Sequence, residues 1–247
     1  MQDGSDTRNP LRDSLRKIRM IEVEWWDYDS PEEMAEAVGG DAGFIAESAL
    51  DARGAALLAL PADELARSIF PTLAAASLQW KQVMVIPTDD LIVGVDDERS
   101  HARALAQAFL PKGARVVPIV TPLDDYRLAG NSADARLQDL PWPPDLVWLK
   151  VGENGDAAGI ASGPDLQDAL DAPKARRAVG VKPDDGEPRV TLTRASILSA
   201  RTVLITLQGQ AKRDMLEQAI ADGQSSRLPI GRVLAEAEQP IDIHWCP

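Results

Sequence analysis

Short apolar runs alternate with stretches of helical period along this chain, the rhythm of an α/β protein. Ala55-Ala-Leu-Leu-Ala-Leu60 is apolar at every position, which predicts a parallel strand covered on both faces. Val83–Ile86, within the strand Gln82-Val-Met-Val-Ile-Pro87, and Leu146–Val151 are of mainly apolar character too, so Ala55–Leu60, Val83–Ile86 and Leu146–Val151 are predicted as neighbouring interior strands. Ala114–Ile119, Arg189–Thr193 and Val203–Leu207 read as further strands, while Ile241-Asp-Ile-His-Trp245 alternates and reads as an edge strand. Ser30-Pro31-Glu32-Glu33 is a capping box with proline at the first helical position, opening a helix to about Asp51. Other helices are predicted near Asp63–Ala76, Glu98–Leu110 and Gln210–Ala221, and Pro141-Trp-Pro-Pro144 leads stiffly into Leu146–Val151. The pattern describes one α/β domain over residues 21–247, with a mainly parallel sheet and helices on both faces.

Composition narrows the partners. A net charge of -13 argues against nucleic acid and anionic membranes, which select basic surfaces. No apolar run approaches a membrane span. Residues 1–20 carry Arg8, Arg12, Arg16, Lys17 and Arg19 without a signal-type apolar core, and read as a flexible extension. The single cysteine, Cys246, excludes an intrachain disulfide and suits a reducing cytoplasm. No histidine–cysteine cluster calls for zinc, and no metal or cofactor is expected.

The chemistry concentrates in Asp145-Leu-Val-Trp-Leu-Lys-Val-Gly-Glu-Asn-Gly-Asp-Ala-Ala-Gly-Ile-Ala-Ser-Gly-Pro-Asp165. A buried strand runs there into a glycine-rich turn. It resembles the 6-phosphogluconolactonase signature, where the strand ends in a Gly-x-Gly-x-Asp-Gly-His-Thr-Ala-Ser-like loop whose histidine activates water. Three more segments, in the right order, carry the resemblance. Thr88-Asp89-Asp90-Leu91-Ile92-Val93 is similar to the family's Thr-Asp-Glu-Arg-Trp-Val. Arg189-Val-Thr-Leu-Thr193, with Leu198 and Ala200, is similar to Arg-Ile-Thr-Leu-Thr-x-x-x-Leu-x-x-Ala. Leu207-Gln-Gly-Gln-Ala-Lys212 is similar to Thr-Gly-x-x-Lys. The resemblance covers Ile21 to Pro247 and implies the sugar-phosphate isomerase/lactonase fold, a modified Rossmann arrangement with ligand at the C-terminal strand ends.

Departures from the family pattern fall on the site. Gly152 and Gly155 keep the frame of the signature loop, but Asp156 stands at the histidine and Ala157-Ala158-Gly159 replaces Thr-Ala-Ser. The family's phosphate-binding Gly-Gly-x-Thr-Pro loop is here Leu60-Pro61-Ala62-Asp63-Glu64-Leu65-Ala66. Asp63 and Glu64 suit an ordinary helix start, at the positive end of the dipole, or form a repurposed polar site. Leu91 replaces the arginine that helps hold phosphate in the family, a task leucine cannot perform. Asp89 and Asp90 are candidate acids or bases, although adjacent carboxylates at a strand end are usually solvated. His101 falls near the family's asparagine, next to Ser100, and either lines the pocket or starts a helix half-exposed. Arg189 and Lys212 keep positive charge in motifs the family places around its ligand.

Asp156 is the candidate general base. A carboxylate can serve water attack on an ester carbonyl, although an ordinary pKa near 4 makes it a weak base at pH 7. No Gly-x-Ser-x-Gly elbow, dinucleotide fingerprint or Walker loop competes with this reading. The expected ligand is a small sugar lactone or sugar acid; a protein partner and the oligomeric state stay open. Two functions follow from the resemblance. One is a member whose hydrolysis of 6-phosphogluconolactone is lost or strongly altered. The other is an active lactonase using Asp156 as general base, on 6-phosphogluconolactone or on a phosphate-free sugar lactone.

Overall fold

A computed structural model describes residues 21–247; the flexible extension expected over residues 1–20 lies outside them. Seven parallel strands form the main sheet. In chain order they are β1 (Val23–Asp27), β2 (Ala56–Leu60), β3 (Val83–Pro87), β5 (Arg115–Val116), β6 (Leu146–Lys150), β9 (Thr202–Gln208) and β10 (Ile241–Cys246). In space they run β1-β10-β9-β6-β2-β3-β5. A smaller antiparallel sheet, ordered β4-β8-β7, consists of β4 (Asp89–Leu91), β7 (Ala178–Val181) and β8 (Arg189–Leu192).

The uninterrupted apolar runs are explained by cover on both faces. Within β2, Leu57 and Ala59 point into one core while Ala56, Leu58 and Leu60 point into the other. The second core is roofed by α1 (Pro31–Arg53), α2 (Glu64–Ala74) and α3 (His101–Phe109). The first is closed by the small sheet together with α4 (Tyr126–Leu137), α5 (Leu166–Leu170), α6 (Arg194–Ser199), α7 (Gln210–Asp222) and α8 (Pro229–Leu234). Strands β6, β2 and β3 are adjacent, as their composition predicts. Ser30 caps α1 by accepting from the Glu33 amide at 3.1 Å.

Two expectations are corrected. The strand over Ile241–Cys246 is internal, hydrogen-bonded to both β1 and β9, and β1 is the edge. Its alternation misleads because His244 is not solvated. The ring is 1% exposed, and the Tyr28 hydroxyl lies 2.8 Å from its Nδ1. The strand predicted over Ala114–Ile119 shrinks to Arg115–Val116. Pro118 has no amide hydrogen with which to continue a ladder.

Candidate functional site

The strand ends on the C-terminal side of the main sheet converge with the small sheet around a cleft of about 370 Å³. Its walls are Lys150, Asn154, Asp156, Gly159, Ala161, Ser162, Pro183, Asp184, Asp185 and Arg189. Lys150 ends β6, and the chain then folds back in two consecutive tight turns. In the first, Val151 pairs with Ala157, and the Gly155 amide donates to the Gly152 carbonyl at 3.0 Å. Gly152 leaves the room that Asp156 occupies, since a Cβ there would fall 1.8 Å from Asp156 Oδ1. In the second, Ala157 pairs with Ile160 across Ala158 and Gly159, whose φ angles of 50° and 79° are both positive, as a type I′ turn requires. The Thr191 hydroxyl donates to the Ala158 carbonyl and ties this turn to β8.

Beneath the cleft wall sits a buried charge cluster. Asp89 is fully buried, and Arg189 Nη1 donates to its Oδ2 at 3.0 Å. His101 Nδ1 donates to the Asp89 backbone carbonyl and stands 3.7 Å from its Oδ1. Burial acts to raise the Asp89 pKa, but the charges of His101, Lys150 and Arg189, with the Arg189 hydrogen bond, hold it below the ordinary carboxylate value. Asp90 is also buried, and accepts from the amides of His101 at 2.7 Å and Ala102 at 2.9 Å, and from the Ser100 hydroxyl at 3.2 Å. Burial still pushes its pKa up against those donors. The expectation of a solvated carboxylate pair is therefore wrong. β4 threads Asp89 and Asp90 between β8 and the start of α3, where an arginine and backbone amides take the place of water.

Among the expected site residues, Asp156 and Arg189 line the cleft, with Gly152 and Gly155 shaping its turn and Asp89 behind it. Asp63 lies elsewhere, as the N-cap of α2, accepting from the Ala66 amide at 3.4 Å. Glu64 follows it, exposed in the first turn. Lys212 stands in the first turn of α7 and Leu91 ends β4, neither in the cleft wall. His101 is pinned to Asp89 at the start of α3. Among the described residues no cluster of three or more His, Cys, Asp or Glu is arranged to hold a metal ion, and no helix is long and apolar enough to cross a membrane.

The family model for glucosamine-6-phosphate isomerases/6-phosphogluconolactonase matches residues 29–245. The chain belongs to that family. A 6-phosphogluconolactonase of Rhizobium meliloti (strain 1021) is 32% identical over 225 residues, 89% of this chain and 97% of the relative. One of Mesorhizobium japonicum is 32% identical over 228 residues, covering 90% and 95%. The crystal structure of a 6-phosphogluconolactonase from Shewanella baltica shares the fold, with a TM-score of 0.86 at 24% identity over 92% of this chain and 99% of that one.

Set on the family's signature loop, the cleft holds two substitutions that sequence reading overlooked. Lys150 occupies the place of the first glycine, and Asn154 that of the aspartate. A Cβ at residue 159 would fall 2.8 Å from Arg189 Cδ and 3.0 Å from Asp89 Cβ, so the glycine admits the ion pair. Asp184 and Asp185 were also missed, because their loop joins β8 to the unrecognised strand β7. The signal for Lys150 was legible as the one charged residue closing an apolar strand.

Proposed function

We propose that in this member of the 6-phosphogluconolactonase family hydrolysis of 6-phosphogluconolactone is lost or strongly reduced, while the cleft still receives a small sugar lactone or sugar acid. The observation that carries this reading is the charge of the cleft wall. Asp156, Asp184 and Asp185 all line it, and Arg189 is already paired with Asp89. A carboxylate about 6 Å from one phosphate charge opposes binding by roughly 3 kcal/mol at an effective dielectric of about 20, before screening. Three such groups outweigh the single ammonium of Lys150. Leu91 adds no donor. At the histidine's place a carboxylate is an intrinsically weaker base than imidazole near neutral pH.

One observation favours a second reading. Asp156 shares its cleft with Lys150, Asn154 and Ser162, groups able to orient a hydroxylated ring for water attack. That reading is a lactonase acting on a phosphate-free sugar lactone with Asp156 as base. Hydrolysis rates of 6-phosphogluconolactone and of glucono-δ-lactone, each against its spontaneous rate, decide between them. The expected result is no acceleration of the phosphorylated lactone. Its turnover at a rate normal for an enzyme, abolished by Asp156→Asn, would overturn the proposal. Acceleration confined to glucono-δ-lactone, again lost in Asp156→Asn, would establish the second reading.

A further inference from the structure

Lys150 closes β6, whose four preceding residues are apolar and buried, and it alone in that strand reaches the cleft. Among the described residues its ammonium makes no hydrogen bond and no ion pair. Its field reaches Asp89, but that carboxylate is already bonded to Arg189. An ammonium in a cleft wall with no carboxylate in bonding contact has donors open to a ligand anion. Arg189 stands in the same wall with its Nε buried and lacking an acceptor. Arg189 is committed to Asp89, and Lys150 is left to meet a ligand anion in this wall.

The lining selects among anions. A phosphomonoester carries close to two negative charges near neutral pH, a sugar carboxylate only one. Repulsion from Asp156, Asp184 and Asp185 scales with that charge and so falls about twofold for the carboxylate. The same aspartates accept hydrogen bonds from hydroxyl groups, and Asn154 and Ser162 both donate and accept. The wall therefore matches a polyhydroxylated chain bearing one carboxylate.

We infer that Lys150 is the anion contact of the cleft and that it takes the carboxylate of a phosphate-free sugar acid. This rests on the proposed reading that the cleft receives a sugar lactone or acid, and names the contact and charge class within it. Calorimetry on the whole protein with D-gluconate and 6-phosphogluconate tests the inference. Gluconate is expected to bind at least tenfold tighter than 6-phosphogluconate. Lys150→Gln and Lys150→Met should each weaken gluconate at least tenfold, and Lys150→Arg should retain most of the affinity. The preference of the unaltered chain is read without any variant, so it stands even if one fails to fold. Tighter binding of 6-phosphogluconate, no binding of gluconate at millimolar concentration, or equal affinity in folded Lys150→Gln would each overturn the inference. The lactonase assay is read separately. Normal turnover of 6-phosphogluconolactone defeats the proposed function whatever Lys150 does, whereas gluconate binding indifferent to Lys150 defeats only this inference.

Discussion

Asp89 and Arg189 meet at 3.0 Å across 100 residues of chain, with the carboxylate fully buried and the arginine side chain 17% exposed. Antiparallel pairing of β4 with β8 brings them together, opposing Asp89 to Thr191 and Leu91 to Arg189. Removing one member of such a pair strands the other's charge in the interior. Asp89→Asn is expected to lower the unfolding free energy by about 3 kcal/mol, read from urea denaturation. The pH dependence follows from the lowered pKa of Asp89. A carboxylate ionised more readily folded than unfolded contributes fully above its ordinary pKa near 4, and that contribution is lost as pH falls through the folded value. The variant should lack this acid loss. Asp90, with its pKa raised, acts oppositely, losing its contribution as pH rises through the folded value.

Gly159→Ser restores the residue the family carries, yet is expected to destabilise this chain. The position has φ 79°, which costs a side chain roughly 1 kcal/mol, and the new Cβ would crowd both Arg189 and Asp89. A total loss of about 1–3 kcal/mol should appear in thermal or urea unfolding. An unchanged or higher midpoint would mean that the ion pair has room to shift.

His244 sits between Tyr28 and Trp26 in an aromatic stack, and burial pushes its pKa down to about 4. The unfolded chain binds a proton below about pH 6.5, which the folded chain resists until about pH 4. Stability from this group is therefore complete above pH 6.5 and declines by roughly 3 kcal/mol on the way down to pH 4. His244→Phe should flatten that part of the curve in urea unfolding at pH 7.5, 6 and 5. A slope identical to that of the unaltered chain would assign the effect to another group.

Asp63 serves α2 as its N-cap. Asp63→Ala should cost about 1 kcal/mol of stability, with gluconate binding unchanged because the residue is not in the cleft wall. Weaker gluconate binding in the folded variant would place Asp63 near the ligand after all.

Local order along the chain determined much of this protein. The apolar runs at Ala56–Leu60, Val83–Pro87 and residues 146–149 had to be interior strands, because only cover on both faces satisfies four or five buried side chains pointing alternately up and down. The glycine frame at Gly152 and Gly155 marked the turn carrying Asp156, since close approach of backbone and side chains there leaves no space for a Cβ. Tertiary structure decided what no spacing in the sequence encodes. The small sheet drew Asp89 out of solvent and gave it Arg189, reversing the expected fate of a charged strand end. Tyr28 made His244 an interior residue and turned an alternating strand into a central one. Lys150 reads in sequence as the ordinary end of a strand. It became a cation of the cleft wall because β8 and the loop between β7 and β8 bring Arg189, Asp184 and Asp185 to the same cleft, and that placement depends on contacts between segments far apart in the chain.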